Sequence, residues 1–104
     1  MICVSAIYSN APGTRFDGEY YIKKHTPMAK ALMSPLGLRE IRTILGLEAL
    51  DGSAAPYWAV SEMLFDTREK FDAAMAACGE ALFADLPNYT NSTPVLQISK
   101  LASG

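Results

Sequence analysis

The chain is poor in the residues that would commit it to metal or phosphate chemistry. Its 104 residues include a single histidine, His25, and two cysteines, Cys3 and Cys78, far apart in the sequence. One histidine with no carboxylate or cysteine pattern around it falls short of a zinc or non-haem iron site. Two distant thiols point to a reducing compartment rather than a disulfide framework. No glycine-rich phosphate loop is present, so no nucleotide cofactor is expected, nor any other. Positive charge is scarce as well: nine Lys and Arg against eleven Asp and Glu give a net charge of -2. That balance offers no basic field to a phosphate backbone. No apolar run reaches membrane-spanning length, and the N-terminus has no basic region followed by an apolar stretch. These absences predict a cytoplasmic protein that binds neither nucleic acid nor membrane. Asn88-Tyr89-Thr90 and Asn91-Ser92-Thr93 match the glycosylation pattern, but without a secretion signal they carry no chemical meaning.

What is present is apolar. Half the residues are hydrophobic and 19% are charged, too apolar for a disordered chain and suited to one domain with a single core. Met1 to Tyr8 reads as a strand, apolar on both faces. After the loop Asn10 to Thr14, a helix is expected to open with Asp17 as N-cap. Phe16 and Tyr21 would staple it and Glu19 would meet the positive end of its dipole. Pro27 disfavours helix at Thr26, so one helix is expected to end near His25. A second would begin with Thr26 as N-cap and run to about Ser34, before Pro35 and Gly37.

Leu38 to about Leu47 alternates, with Leu38, Glu40, Arg42 and Ile44 opposing Arg39, Ile41, Thr43 and Leu45, the pattern of an edge strand. The loop Asp51 to Pro56 leads into Tyr57 to Phe65, a strand apolar on both faces. A helix should follow from Asp66, capped in a box with Glu69, its buried stripe formed by Phe71, Met75, Cys78 and Leu82. Pro87 closes that helical region, and Thr93 to Leu101 supplies a last strand. Strand, helix, strand, strand, helix, strand is the split βαβ pattern of ferredoxin-like α+β folds, with the first and third strands central. Two helices cover one face of the four-stranded antiparallel sheet. The other apolar face calls for a second copy, giving a homodimer through the sheet faces.

One corner gathers the chemistry. Tyr21 and His25 lie four apart and so share a helix face. The break expected at Pro27 places the imidazole at a helix end beside a phenol, a combination equipped for proton transfer near neutral pH. Glu62 is a charge in an otherwise apolar central strand, which needs either Arg39 or Arg42 as partner or a place in a pocket wall. Tyr20 is read as packing that also orients a ligand. The Met28, Met33, Met63 and Met75 set suits core filling or an adaptable apolar pocket.

The Phe16-Asp17, Tyr20-Tyr21, His25 and Thr26-Pro27-Met28 spacing, with Gly37-Leu38, Ala55-Pro56-Tyr57, Glu62-Met63-Leu64-Phe65-Asp66 and Pro87-Asn88-Tyr89-Thr90, resembles the EthD family over almost the whole chain. Met28-Ala29 departs from the leucine or valine frequent in relatives. That family, named for an association with ether degradation, lies in the dimeric α/β-barrel superfamily. The resemblance implies a homodimer with a cavity between sheet and helices, and Asn88 and Tyr89 at its mouth. Superfamily relatives include cofactor-independent monooxygenases, decarboxylases, cyclases, isomerases and haem proteins. The function expected here is a small cofactor-independent enzyme of oxygenase, decarboxylase or isomerase type. It would act on an apolar, aromatic or polyketide-like molecule by His25-mediated proton transfer. Tyr21 joins it, and Tyr20, Glu62, Asn88 and Tyr89 bind the substrate. The alternatives are haem ligation by His25 or a non-catalytic carrier of a hydrophobic metabolite.

Overall fold

Two strands that are apolar on both sides belong in the middle of a sheet, and that is where they lie. A computed structural model covering residues 1–104 has β1 (Ile2–Ser9), β2 (Leu38–Leu45), β3 (Tyr57–Phe65) and β4 (Val95–Lys100) in one antiparallel sheet. The spatial order is β2-β3-β1-β4. Between β1 and β2 runs a helical stretch over residues 18–36, here α1, and α2 (Arg68–Ala84) follows β3. Both cover the same face of the sheet. The chain is thus a ferredoxin-like α+β fold.

Register sorts the side chains into rows on the covered face. Ile41, Met63, Val4 and Ile98 make one row, and Thr43, Ser61, Ala6 and Leu96 the next. Leu45, Ala59 and Tyr8 lie beyond them. The opposite face carries Ile44, Val60 and Ile7, then Arg42, Glu62, Ser5 and Gln97. The alternation expected in β2 is broken once. Leu38 pairs with Phe65 and Glu40 with Leu64, a bulge that takes Leu38 to the buried face with Ile41, away from Glu40 and Arg42.

The helices begin as their capping residues require, with two corrections. Asp17 accepts from the Tyr20 N–H at 3.0 Å, and the Phe16 and Tyr21 ring centroids are 5.3 Å apart. At α2 the cap is Thr67, whose Oγ1 accepts from the Lys70 N–H at 3.2 Å. Asp66, one residue early, instead pairs with Arg39 and Lys70 on the surface. Thr26 does not cap a second helix either. Its backbone is helical (φ -61, ψ -46), and its N–H bonds the Tyr21 carbonyl five residues back. The helix therefore passes Pro27 unbroken by widening into a π turn over Tyr21–His25. A proline ring crowds the carbonyl four residues earlier, here that of Lys23, and a wider turn relieves the crowding. α1 ends on a 3₁₀ turn, Ser34–Leu36, closed by Gly37 at φ 108.

The core divides along the strands. At one end Val4, Met33, Leu38, Phe65, Phe71, Ala74, Cys78 and Leu82 pack together. At the other, Ala6, Tyr8, Tyr21, Ala59 and Tyr89 form an aromatic cluster with Phe16 and Trp58 against it. No helix is long and apolar enough to cross a membrane.

Candidate functional site

Between the sheet and the two helices lies a cavity of about 260 Å³. Sixteen of its 19 lining residues are hydrophobic; the others are His25, Ser61 and Pro94, so no lysine, arginine, aspartate or glutamate reaches it. Tyr21, His25, Ala29 and Met33 form the α1 wall, one residue per turn.

His25 is held from behind. Its Nδ1 lies 2.9 Å from Asp85 Oδ2, and both side chains are nearly sealed, 10% and 12% exposed. A carboxylate only accepts, so Nδ1 carries the proton, and in the neutral imidazole Nε2 keeps its lone pair. Nε2 has no protein partner, and it is not closed off from accessible space. The ring stacks on Tyr21 with centroids 4.9 Å apart and leans on Tyr89 at 4.8 Å.

Asp85 is itself positioned twice over. Oδ1 accepts from the Tyr20 hydroxyl at 2.7 Å and from Asn88 Nδ2 at 2.8 Å. Burial pushes its carboxyl up, but the bonds from Asn88, His25 and Tyr20 outweigh it and hold the group below the usual carboxylate range. The two halves meet because two loops are sewn together. The Asp17 N–H bonds the Tyr89 carbonyl at 2.8 Å, Thr90 Oγ1 donates to the Arg15 carbonyl, and Asn91 takes the Arg15 N–H and donates to the Gly13 carbonyl. The start of α1 is thereby fixed to the turn after α2.

Three phenols line the same end. The Tyr8 and Tyr89 hydroxyls are 2.8 Å apart, and the Tyr21 hydroxyl is 2.7 Å from Ser61 Oγ, itself 2.6 Å from Thr43 Oγ1. Burial, above all, pushes all three phenols well up, so they stay neutral and act as hydrogen-bond groups rather than bases.

The structure brings His25, Tyr21 and Tyr89 to the cavity wall. Tyr20 and Asn88 stand behind, on Asp85 rather than in the lining. Glu62 is a correction: its neighbours Ser61 and Met63 face the cavity, so by strand parity Glu62 points to the other side, where Arg42 Nη2 reaches it at 3.2 Å. The sequence reading found no carboxylate for His25 and so missed Asp85, 60 residues away; Tyr8 and Ser61 were missed too. The N-cap-like setting of Asp85 before Leu86-Pro87 was the available signal, and it is ambiguous between turn and site. No group of three or more His, Cys, Asp or Glu side chains gathers as a metal site. Haem does not fit this lining: no lysine or arginine is there to meet its propionates.

A βαββαβ chain with an apolar cavity between sheet and helices, opened onto by one imidazole, defines a class of small α+β proteins with a ligand-sized interior. Within it the chain is similar to an EthD-like protein from Ralstonia eutropha JMP134, at 34% identity and a TM-score of 0.89, over 98% of this chain and 92% of that one. It belongs to the EthD family. An ethyl tert-butyl ether D (EthD) family protein from Bacillus halodurans C-125 shares the fold at 23% identity and a TM-score of 0.77, covering 96% of this chain and 97% of that one. So does SnoaB, a cofactor-independent oxygenase from Streptomyces nogalater, at 12% identity and a TM-score of 0.63, over 99% of this chain and 93% of that one. No protein-family model matches the chain, and no curated protein does.

Proposed function

We propose that this protein is a small cofactor-independent enzyme that takes a proton from an apolar, aromatic or polyketide-like substrate. The observation that carries the reading is the His25–Asp85 pair, buried behind an apolar cavity with Nε2 left unbonded. A base in such a place is oriented by its carboxylate and works in a medium where charge interactions are strong. Nε2 receives the proton from an acidic C–H or O–H of the substrate. The electron pair stays behind as an enolate or phenolate; since one of the Tyr8 and Tyr89 hydroxyls donates to the other, one O–H of that pair is left to donate to its oxygen. Oxygenation, decarboxylation and isomerisation all run through such an anion. The fold shared with a cofactor-independent oxygenase supports this class of chemistry.

Two copies are proposed to pair through the uncovered sheet face, where Ile44 and Val95 are 62% and 61% exposed and Val60 and Ile7 lie between them. The catalytic reading is tested by incubating the protein with enolisable aromatic and polyketide-like probes and following their loss by chromatography. His25→Gln is expected to cut turnover about 10²–10⁴-fold with the fold retained by circular dichroism. Tight binding of those probes by the native chain without any turnover would establish a carrier instead.

A further inference from the structure

The cavity is not uniform along its length, and the sheet register says how it is graded. At the end formed by the Ala6–Ser61 and Tyr8–Ala59 rows stand Tyr8, Tyr21, His25, Ser61 and Tyr89. One row away, at the Val4–Met63 level, every lining group is apolar: Ile41 and Ile98 from the edge strands, Met33 from α1, Phe71 and Met75 from α2. The helices run with this gradient. The α1 stripe passes from Tyr21 through His25 and Ala29 to Met33, and α2 returns from Phe71 and Met75 to Leu82, with Tyr89 beyond. All hydroxyls and the imidazole are thus gathered at one end, and three methionines border the other.

From this grading we infer that the ligand is a head-and-tail molecule: a neutral phenol or enolisable ring at the tyrosine end, with an unbranched alkyl chain of a few carbons reaching toward Met33, Met63 and Met75. The inference rests on the proposed reading of the site and adds the substrate class. Size supports it. A dry cavity of about 150 Å³ accommodates benzene, so about 260 Å³ has room for a ring and a short chain together. Unbranched, polarisable methionines adapt to chains of varying shape. Charge excludes the fatty-acid alternative. No Lys or Arg lines the cavity, and the one basic group, His25, already has Asp85 as its carboxylate, so a second carboxylate would be buried without a partner.

The test is binding, read by calorimetry on the native chain with phenol, 4-ethylphenol, 4-propylphenol and octanoate. Each methylene added from phenol to 4-propylphenol is expected to tighten Kd about fourfold, and octanoate is expected not to bind. Equal affinity across the phenols, or octanoate binding as tightly as 4-propylphenol, overturns the inference. Met75→Trp, which fills the apolar end, should return 4-propylphenol to the affinity of phenol and leave phenol itself unchanged. Equal weakening of both would place the chain elsewhere and overturn it too. The phenol series needs no variant, so it decides the question even where Met75→Trp does not fold. Turnover is not read, so a flat series leaves proton transfer by His25 standing, and an inactive protein with the graded series leaves the head-and-tail site standing.

Discussion

Two side-chain pairs in this molecule look alike on paper and differ in almost everything that matters. His25–Asp85 is 2.9 Å long with side chains 10% and 12% exposed; Arg42–Glu62 is 3.2 Å long with side chains 63% and 40% exposed. The first joins the middle of α1 to the turn after α2 behind a cavity, and the second joins neighbouring strands on the uncovered face. Exposed pairs are worth little because water competes for both partners. The buried pair has lost that competition, so each partner depends on the other and on the bonds behind it. Asp85 has three such bonds, to His25, Tyr20 and Asn88, whereas Glu62 has the one to Arg42. A site is distinguished from a surface contact here by this second layer of support.

Breaking the buried pair should produce the largest effect. Asp85→Asn keeps the size and the bonds it can accept from Tyr20, but it removes the charge that fixes the imidazole tautomer. Activity is expected to fall about 10²–10⁴-fold, as with His25→Gln. The double variant should be hardly worse than either single one, because groups that act as a unit lose their effect together. Steady-state rates of the three proteins check this. Additive losses would mean that Asp85 and His25 work independently.

The uncovered face comes next. Val60 pairs with Ile7 and Ile44 across the strands on the side away from the helices. Val60→Asp would bury an unpaired carboxylate in the proposed dimer. Sedimentation is expected to show a folded monomer for the variant and a dimer for the native chain. A native chain that sediments as a monomer at micromolar concentration removes the proposed pairing. Trp58 is the poorer choice for this test, since its Nε1 donates to Thr14 Oγ1 at 2.9 Å and it packs against the aromatic cluster.

Asp85 also leaves a mark on acid stability. Its carboxyl lies below the ordinary range in the folded protein, so the fold binds that proton less readily than the unfolded chain does. The resulting stabilisation is fully present above the unfolded value, about 3.9, and is lost as pH falls through the folded value. Asp85→Asn is therefore expected to flatten the part of the acid limb below about pH 4, measured by urea unfolding across pH. An unchanged acid limb would show that Asp85 titrates alike in both states.

The same contrast explains what could be read without a structure. Strand order and the central place of β1 and β3 were legible because burial on both sides writes two-sided apolarity into Ile2–Ser9 and Tyr57–Phe65. Tyr21 and His25 were legible because a local spacing puts them together. Asp85 was not, since nothing near it in sequence records that the turn after α2 is tied to the loop before α1. Thr26 was misjudged because Pro27 signals a break in a regular helix, while a π turn lets the helix continue. Glu62 was placed by its oddity in an apolar strand, and parity would have sent it outward once Ser61 was known to face in.

The smallest effect belongs to the exposed pair, and it sharpens the question of what covers that face. A double-mutant cycle with Arg42→Ala and Glu62→Ala should give a coupling of about 0.2–1 kcal/mol when both groups remain in water. In the proposed dimer the two sheet faces meet and Arg42–Glu62 loses solvent, so its coupling should grow with protomer concentration. Unfolding measured well below and well above the dimer dissociation constant reads the difference directly. A coupling that stays small at both concentrations would mean the pair is wet in every state, and the contact between copies would then have to lie toward Ile7, Val60 and Val95 alone.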